Sequence, residues 1–437
     1  MKLFNSFRTL LAAALCCLLA AGCAGHVPYE TLSSHLSRGE CGAASALMAE
    51  SRGEYGDNSA LLFLLDSAMV HMRCREFEAA QEKFRAAEDL AGNLWTLSLS
   101  REFASYLTND YVLEYAGEDF ERAMIHLMSA LAYLDEGYPE EALVECRRLD
   151  SLLSMYNDKY EEKNVYKEDA FGRYLSGILR EGDNDPDGAF IDYKKALETY
   201  GDYGEFYGVG APENLKADLF RVAALAGRLF DARELLPEYS LPAGQEDAGA
   251  LGQVVWIHLR GRVPEKQEDR ISIYTPHGPL TIAFPRYARP EVPEAAPVLV
   301  LKSGGESVRV RAGLVSDIGA IAVKNLEDRR VRITAKAVAR AAAKQAVIRE
   351  VAKNDDKEMQ RMVENILNLF NTLLEQADLR SWQSLPGQVY MARSFLPPGE
   401  WHAALRTRDR EIRKKVLVKA GQINYIVVND ALGRAFQ

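Results

Sequence analysis

The side chains that could carry chemistry are six cysteines, seven histidines and 63 acidic residues. His26, His35, His71, His126, His258, His277 and His402 are spread so that no two stand at a metal-ligand spacing or beside a suitable carboxylate pattern, so the histidines define no site. No Gly-x-Ser-x-Gly nucleophile turn occurs. Lys302-Ser303-Gly304-Gly305 and Gly208-Val209-Gly210 lack the strand-loop-helix setting of a phosphate loop and read as turns. The paired acids of a glycosidase need carboxyls about 5–10 Å apart across a sugar cleft, which counting acids does not reveal. The reading is therefore a protein that is not an enzyme and uses no cofactor or metal. Three kinds of chemistry remain: modification of the Cys23 thiol, a disulfide, and recognition through tyrosine, arginine and tryptophan.

Cys23 follows Lys2, Arg8 and the apolar run LLAAALCCLLAA. The run is too short and too early for an ordinary spanning helix and has the flanks of a secretory signal. Leu19-Ala20-Ala21-Gly22-Cys23 resembles a bacterial lipobox, although the leucine stands one place earlier than in the commonest pattern. That resemblance implies a signal peptide over residues 1–22 and acyl chains on Cys23, each buried methylene contributing about 0.8 kcal/mol to anchoring. Ala24, in place of an inner-membrane retention aspartate, implies the periplasmic face of an outer membrane. Residues 23–28 form a tether reaching roughly 20 Å at full extension, so the folded body is expected close to the bilayer.

Export permits a disulfide. Of the three cysteines left besides the signal and Cys23, Cys41 and Cys74 are the expected pair because they fall in adjacent repeats, with Cys146 packed as a thiol. A net charge of −10 with both signs interspersed argues against a nucleic-acid partner.

Residues 29–245 carry helical periodicity. Arg122 to Leu149 places two apolar-periodic segments around a Gly-Tyr-Pro turn, with Ala130 and Ala142 where two antiparallel helices would touch. Ala44, Ala80, Ala142, Ala189 and Ala232 can each open the second helix of a hairpin, and Ser176-Gly177 supplies the small position of the fourth. The pattern resembles tetratricopeptide repeats (TPR), spaced here more widely than the usual 34 residues or so. The widest gap, Ala80 to Ala142, predicts an additional helical pair between Leu90 and Asp119. Insertions at Tyr156 to Glu168 and Tyr200 to Pro212 read as tyrosine-rich loops, and Tyr200, Tyr203 and Tyr207 are candidates for contacting a partner.

Residues 250–437 read as β-rich. GQVVWIHL, RISIYT, LTIAFP, PVLVLK, SVRVRA, IGAIAV, GQVYMARSFL, EWHAALR, KKVLVKA and INYIVVN are short strand-like runs, as in an antiparallel sandwich, interrupted by a long helical insertion over 334–376. Within the insertion Lys336, Arg340 and Lys344 form a basic stripe that could face lipid or simply water. Arg380 and Trp382 follow it. They can anchor a loop, or line a pocket that stacks a sugar or holds a carboxylate.

EDFER at Glu118, ALVECRR at Ala142, AFPRY at Ala283, ADLRSWQSLP at Ala377 and LPPG at Leu396 together resemble a family of uncharacterised bacterial TPR lipoproteins. The resemblance implies export, a lipid anchor and a helical repeat domain fused to a β-rich domain, with no established activity. The fold expected is thus α+β and multidomain: a TPR-like α-solenoid followed by a sandwich-like β domain with an inserted helix. The function expected is a periplasm-facing adaptor that binds another cell-envelope protein on the solenoid's concave side. The alternatives are an accessory lipoprotein of an export or peptidoglycan-assembly machine, a glycan-binding module, and last a cell-wall hydrolase.

Overall fold

The structure, a computed structural model, describes residues 27–101, 113–160, 166–240, 248–275, 278–288, 295–351, 376–406 and 411–432; its side-chain description excludes 97–101, 273–281, 332, 336–337 and 339–351. Residues 1–26, which include Cys23, lie outside the described residues, as do residues 352–375 of the expected insertion.

Helices occupy the N-terminal half and sheets the C-terminal half. Five helix pairs follow one another: α1 (Tyr29–Ser37) with α2 (Cys41–Glu50), α3 (Ala60–Arg73) with α4 (Phe77–Arg101), α5 (Asp119–Glu136) with α6 (Pro139–Lys159), α7 (Ala170–Gly182) with α8 (Pro186–Tyr207), and α9 (Leu215–Leu225) with α10 (Leu229–Leu235). Local chemistry sets their ends. Glu118 and Glu121 form a reciprocal capping box at the start of α5, Gly137 (φ 105°) turns the chain left-handed at its end, and Pro139 opens α6 where no amide hydrogen is needed. Asp185 accepts from the Gly188 amide at 2.9 Å ahead of Pro186 in the same way.

The five alanines expected on the second helices, Ala44, Ala80, Ala142, Ala189 and Ala232, are all buried. At the fourth pair the reason is plain, since a Cβ on Gly177 would come 2.4 Å from the Tyr193 ring. No additional pair begins at Leu90. The stretch is the continuation of α4, which runs 25 residues, and 102–112 lie outside the described residues.

Among the described residues the strands form two four-stranded sheets and a hairpin. In the first sheet the order is β10 (Ile423–Asp430), β1 (Gly252–Arg260), β7 (Gln388–Leu396), β6 (Gly313–Asp317), with only the β1–β10 pair parallel. The second runs β5 (Glu306–Arg311), β4 (Val298–Ser303), β8 (Gly399–Arg406), β9 (Glu411–Val418), antiparallel throughout. β2 (Lys266–Thr275) and β3 (Gly278–Tyr287) form the hairpin. The run IGAIAV is not a strand. It opens α11 (Ile318–Val351), with Ile318, Ile321 and Ala322 buried at helical spacing, so the helical insertion begins well before residue 334.

Side chains alternate across the first sheet and so divide two cores. Val255, Ile257, Leu259, Val389, Met391 and Val427 join the core of the helices, while Val254, Trp256, Ala392, Ile426 and Val428 meet Leu299, Trp401, Ala403 and Leu405 of the second sheet. Successive layers are therefore the second helices of the pairs, the first helices, the first sheet and the second sheet. The first helices are covered on both sides: α5 buries Phe120 through Ala132 without a break, and α7 buries all but Arg173 from Ala170 to Leu179. The second helices bury one stripe, as in α6 with Ala142, Cys146, Leu149, Leu153 and Tyr156.

Candidate functional site

Tyr200, Tyr203 and Tyr207 do not form an exposed contact loop. They lie on α8 at helical spacing, and all three are buried. The Tyr200 hydroxyl donates to the Val315 carbonyl of β6 at 2.9 Å, and Tyr203 donates to Asp169 at 2.9 Å. Gly201 and Gly204, which suggest a loop in the sequence, sit where an added Cβ would meet nothing within 4 Å. These tyrosines fasten α8 to its neighbours and cannot reach a partner without local unfolding.

Arg380 and Trp382 are buried as well. The Arg380 guanidinium donates to Asp378 at 2.7 and 2.9 Å and to the carbonyls of Asn58 and Leu113 at 3.0 and 2.9 Å. Trp382 donates its amide to Glu121 at 2.7 Å and its indole N–H to Ser384 at 2.8 Å. The pocket that a sugar would need is filled by the protein's own groups. This segment is a clasp between the halves. Nearby, Lys266 reaches Glu118 at 2.5 Å and the Arg380 carbonyl at 3.0 Å. Ser384 bonds Asp66, which also accepts from Tyr29 at 2.6 Å and Tyr55 at 2.7 Å.

A second clasp centres on Arg393 of β7, whose side chain is wholly buried. It holds Glu181 of α7 at 2.8 Å and Asp218 of α9 at 2.7 Å, while Arg221 takes the same two acids at 2.5 and 2.8 Å. Tyr174 donates to Asp218 at 2.6 Å and Tyr193 to Glu181 at 2.8 Å. Two cations and two anions balance, and hydroxyls fill the remaining acceptor positions. Burial by itself would raise the Glu181 pKa, but Arg393 and Arg221 outweigh it and hold the carboxyl below the usual carboxylate range.

Cys41 and Cys74 are joined as a disulfide, with Cα atoms 5.6 Å apart, tying the start of α2 to the end of α3. Cys146 is a free buried thiol whose pKa burial pushes up, which suits packing and not nucleophilic attack. The two buried histidines among the described residues each meet a carboxylate. Folding brings His126 within 2.8 Å of Glu145 and His258 within 2.9 Å of Asp430. Their side chains are only 5% and 1% exposed, so both pairs are internal braces. The side chains of Lys336, Arg340 and Lys344 lie outside the described residues. Among the described residues no group of three His, Cys, Asp or Glu could hold a metal ion, and no helix is long and apolar enough to cross a membrane.

The outer surface of the helical layer is open to a partner. Between α8 and α10 a groove of about 670 Å³ has Phe190, Ile191 and Leu235 in its lining, and charges of both signs, Lys195 and Glu198 among them, edge it. A second cavity of about 430 Å³ shares Lys195 and Glu198 and extends along α8 toward Lys167 and Asp202. At this end of the layer Ile191, Leu225 and Phe230 are 55%, 70% and 78% exposed. The chain matches no protein-family model and no curated protein. Its function is therefore argued from this geometry. Sequence reading missed the groove because the alignment of Ala189 and Ala232 identifies the faces that pack, and the exposed positions between them carry no periodic signal.

Proposed function

We propose that the protein is an adaptor of the cell envelope, anchored through acyl chains on Cys23 to the periplasmic face of the outer membrane, whose TPR-like helical layer binds another envelope protein. The observation that carries this reading is the groove beside the last helix pair. A stack of hairpins ordinarily closes its end with a polar terminal repeat, and here the last pair leaves Leu225 and Phe230 exposed while Ile191 lines a groove edged by both charges. An amphipathic helix with apolar anchors and mixed flanking charge matches it.

The binding surface in this proposal is not the concave side expected from the sequence. The first helices that would line such a side are packed against the first sheet, so the inner side of the helical layer is occupied by the chain's own β-half. Affinity capture from detergent-solubilised envelopes tests the reading. A partner retained by the native protein should be lost with Ile191→Asp and Phe230→Asp combined, at unchanged melting temperature. Retention of the same partner by that variant would refute it.

A further inference from the structure

The outward face of the second sheet carries a charge opposite to that of the molecule. The strand register settles which residues share it. Because Leu299, Leu301, Trp401, Ala403, Leu405, Val310 and Val416 point into the core, the alternate residues point away from it. Those alternate positions bring Lys302, Arg309, Arg311, Arg406, Arg413 and Lys415 onto one surface, with Glu400 and Glu411 as its acids. All six cations are exposed. Glu411 is shared by Arg406 at 2.9 Å and Arg413 at 2.6 Å, and Glu400 takes Lys415 at 2.7 Å. Among the described residues no acid pairs with Lys302, Arg309 or Arg311. A chain of net charge −10 thus keeps a positive surface on a regular antiparallel sheet.

We infer that this face rests on an anionic phospholipid leaflet, an inference that builds on the lipid-anchor reading above. The spread of these cations over all four strands argues for an extended surface and against a small ligand, since neighbouring strands about 4.8 Å apart present their cations side by side. Placement argues for the bilayer that holds the anchor. Arg262, just beyond β1, pairs with Glu30 of α1 at 2.8 Å, and Arg260 at the end of β1 donates to the Ala295 carbonyl at 3.5 Å, just before β4. The row Arg311, Val298, Arg406 and Glu411 lies at that same end of the second sheet. The first helix pair therefore stands at the end of the sheets where the basic rows begin. The acids elsewhere do not cancel the attraction, because charges beyond about 8 Å are screened at physiological salt. With this face on the leaflet, the helical layer and its groove point away from the membrane.

The test uses the full chain purified from membranes with its anchor, reconstituted on vesicles of phosphatidylglycerol or of phosphatidylcholine. Flotation with both vesicles reads the anchor. Amine labelling of Lys302 and Lys415, quantified by mass spectrometry, reads the face. Each cation near a charged surface is worth about fivefold in binding, so labelling on phosphatidylglycerol should be at least tenfold slower than on phosphatidylcholine. The difference should vanish in 0.5 M salt or with Arg309→Glu and Arg413→Glu combined, at unchanged circular dichroism. Flotation with both lipids but equal labelling rates would overturn the inference and leave the anchor intact. Flotation on phosphatidylglycerol alone, reversed by salt, would support the face and refute the anchor.

Discussion

Two buried carboxylates on the seam between helices and sheet should answer mutation in opposite ways. Glu181 balances Arg393 and Arg221, so Glu181→Gln leaves a buried cation in excess and should cost about 3–5 kcal/mol at neutral pH. Its folded pKa lies below the ordinary 4.5, so the stability it contributes is present above that value and is lost as pH falls through the folded one. The penalty of the variant should therefore shrink in acid. Asp66 has only neutral donors, Tyr29, Tyr55 and Ser384, and burial raises its pKa above 3.8 against their hydrogen bonds. Its contribution is complete below 3.8 and is lost as pH rises through the raised value. Asp66→Asn should cost about 1 kcal/mol at low pH, and the variant should gain on the native protein as pH rises. Melting curves of both variants from pH 3 to 8 check both signs; parallel pH profiles would contradict the assignment. Neither clasp is legible in the sequence. Glu181 and Arg393 stand 212 residues apart, and no local pattern announces a partner at that distance.

At the scale of elements, the sequence shows most where one helix touches the next. The buried alanines and Ser176-Gly177 mark close approaches that only small residues allow. Gly177→Ala should destabilise by about 1–3 kcal/mol because the new methyl would strike the Tyr193 ring, itself fixed by Glu181 and Arg393. Chemical denaturation measures it, and a neutral result would show that α7 and α8 can separate freely. The Cys41–Cys74 bridge spans 33 residues, and removing it with serines should cost about 3–4 kcal/mol by the loop-entropy argument. Where the sequence misleads, two periodic signals compete. Glycines beside Tyr200, Tyr203 and Tyr207 suggest a loop, yet tyrosines three and four apart form one helical face whose burial offsets about 1 kcal/mol per exposed glycine. IGAIAV has strand composition and is short enough for either state, and its place after Asp317, which accepts from the Ala320 amide at 2.8 Å, decides for helix.

In the whole molecule the helices and the first sheet share one core, and the two sheets enclose a second. Each half has a legible composition, but the packing of one onto the other places Trp382 and Val427 among the same buried residues as Phe120 and Ile178. A chain ending near residue 245 should therefore expose the apolar side of its first helices, bind a hydrophobic dye and aggregate, whereas an independent solenoid would stay monomeric. The same packing decides where a partner can sit. Photo-crosslinking in intact cells tests this most directly, with the reactive side chain placed at Phe230 on the outer end and at Met128 within α5. The account predicts adducts to a second envelope protein from Phe230 and, from Met128, only adducts within the chain. Adducts to another protein from Met128, with none from Phe230, would contradict it.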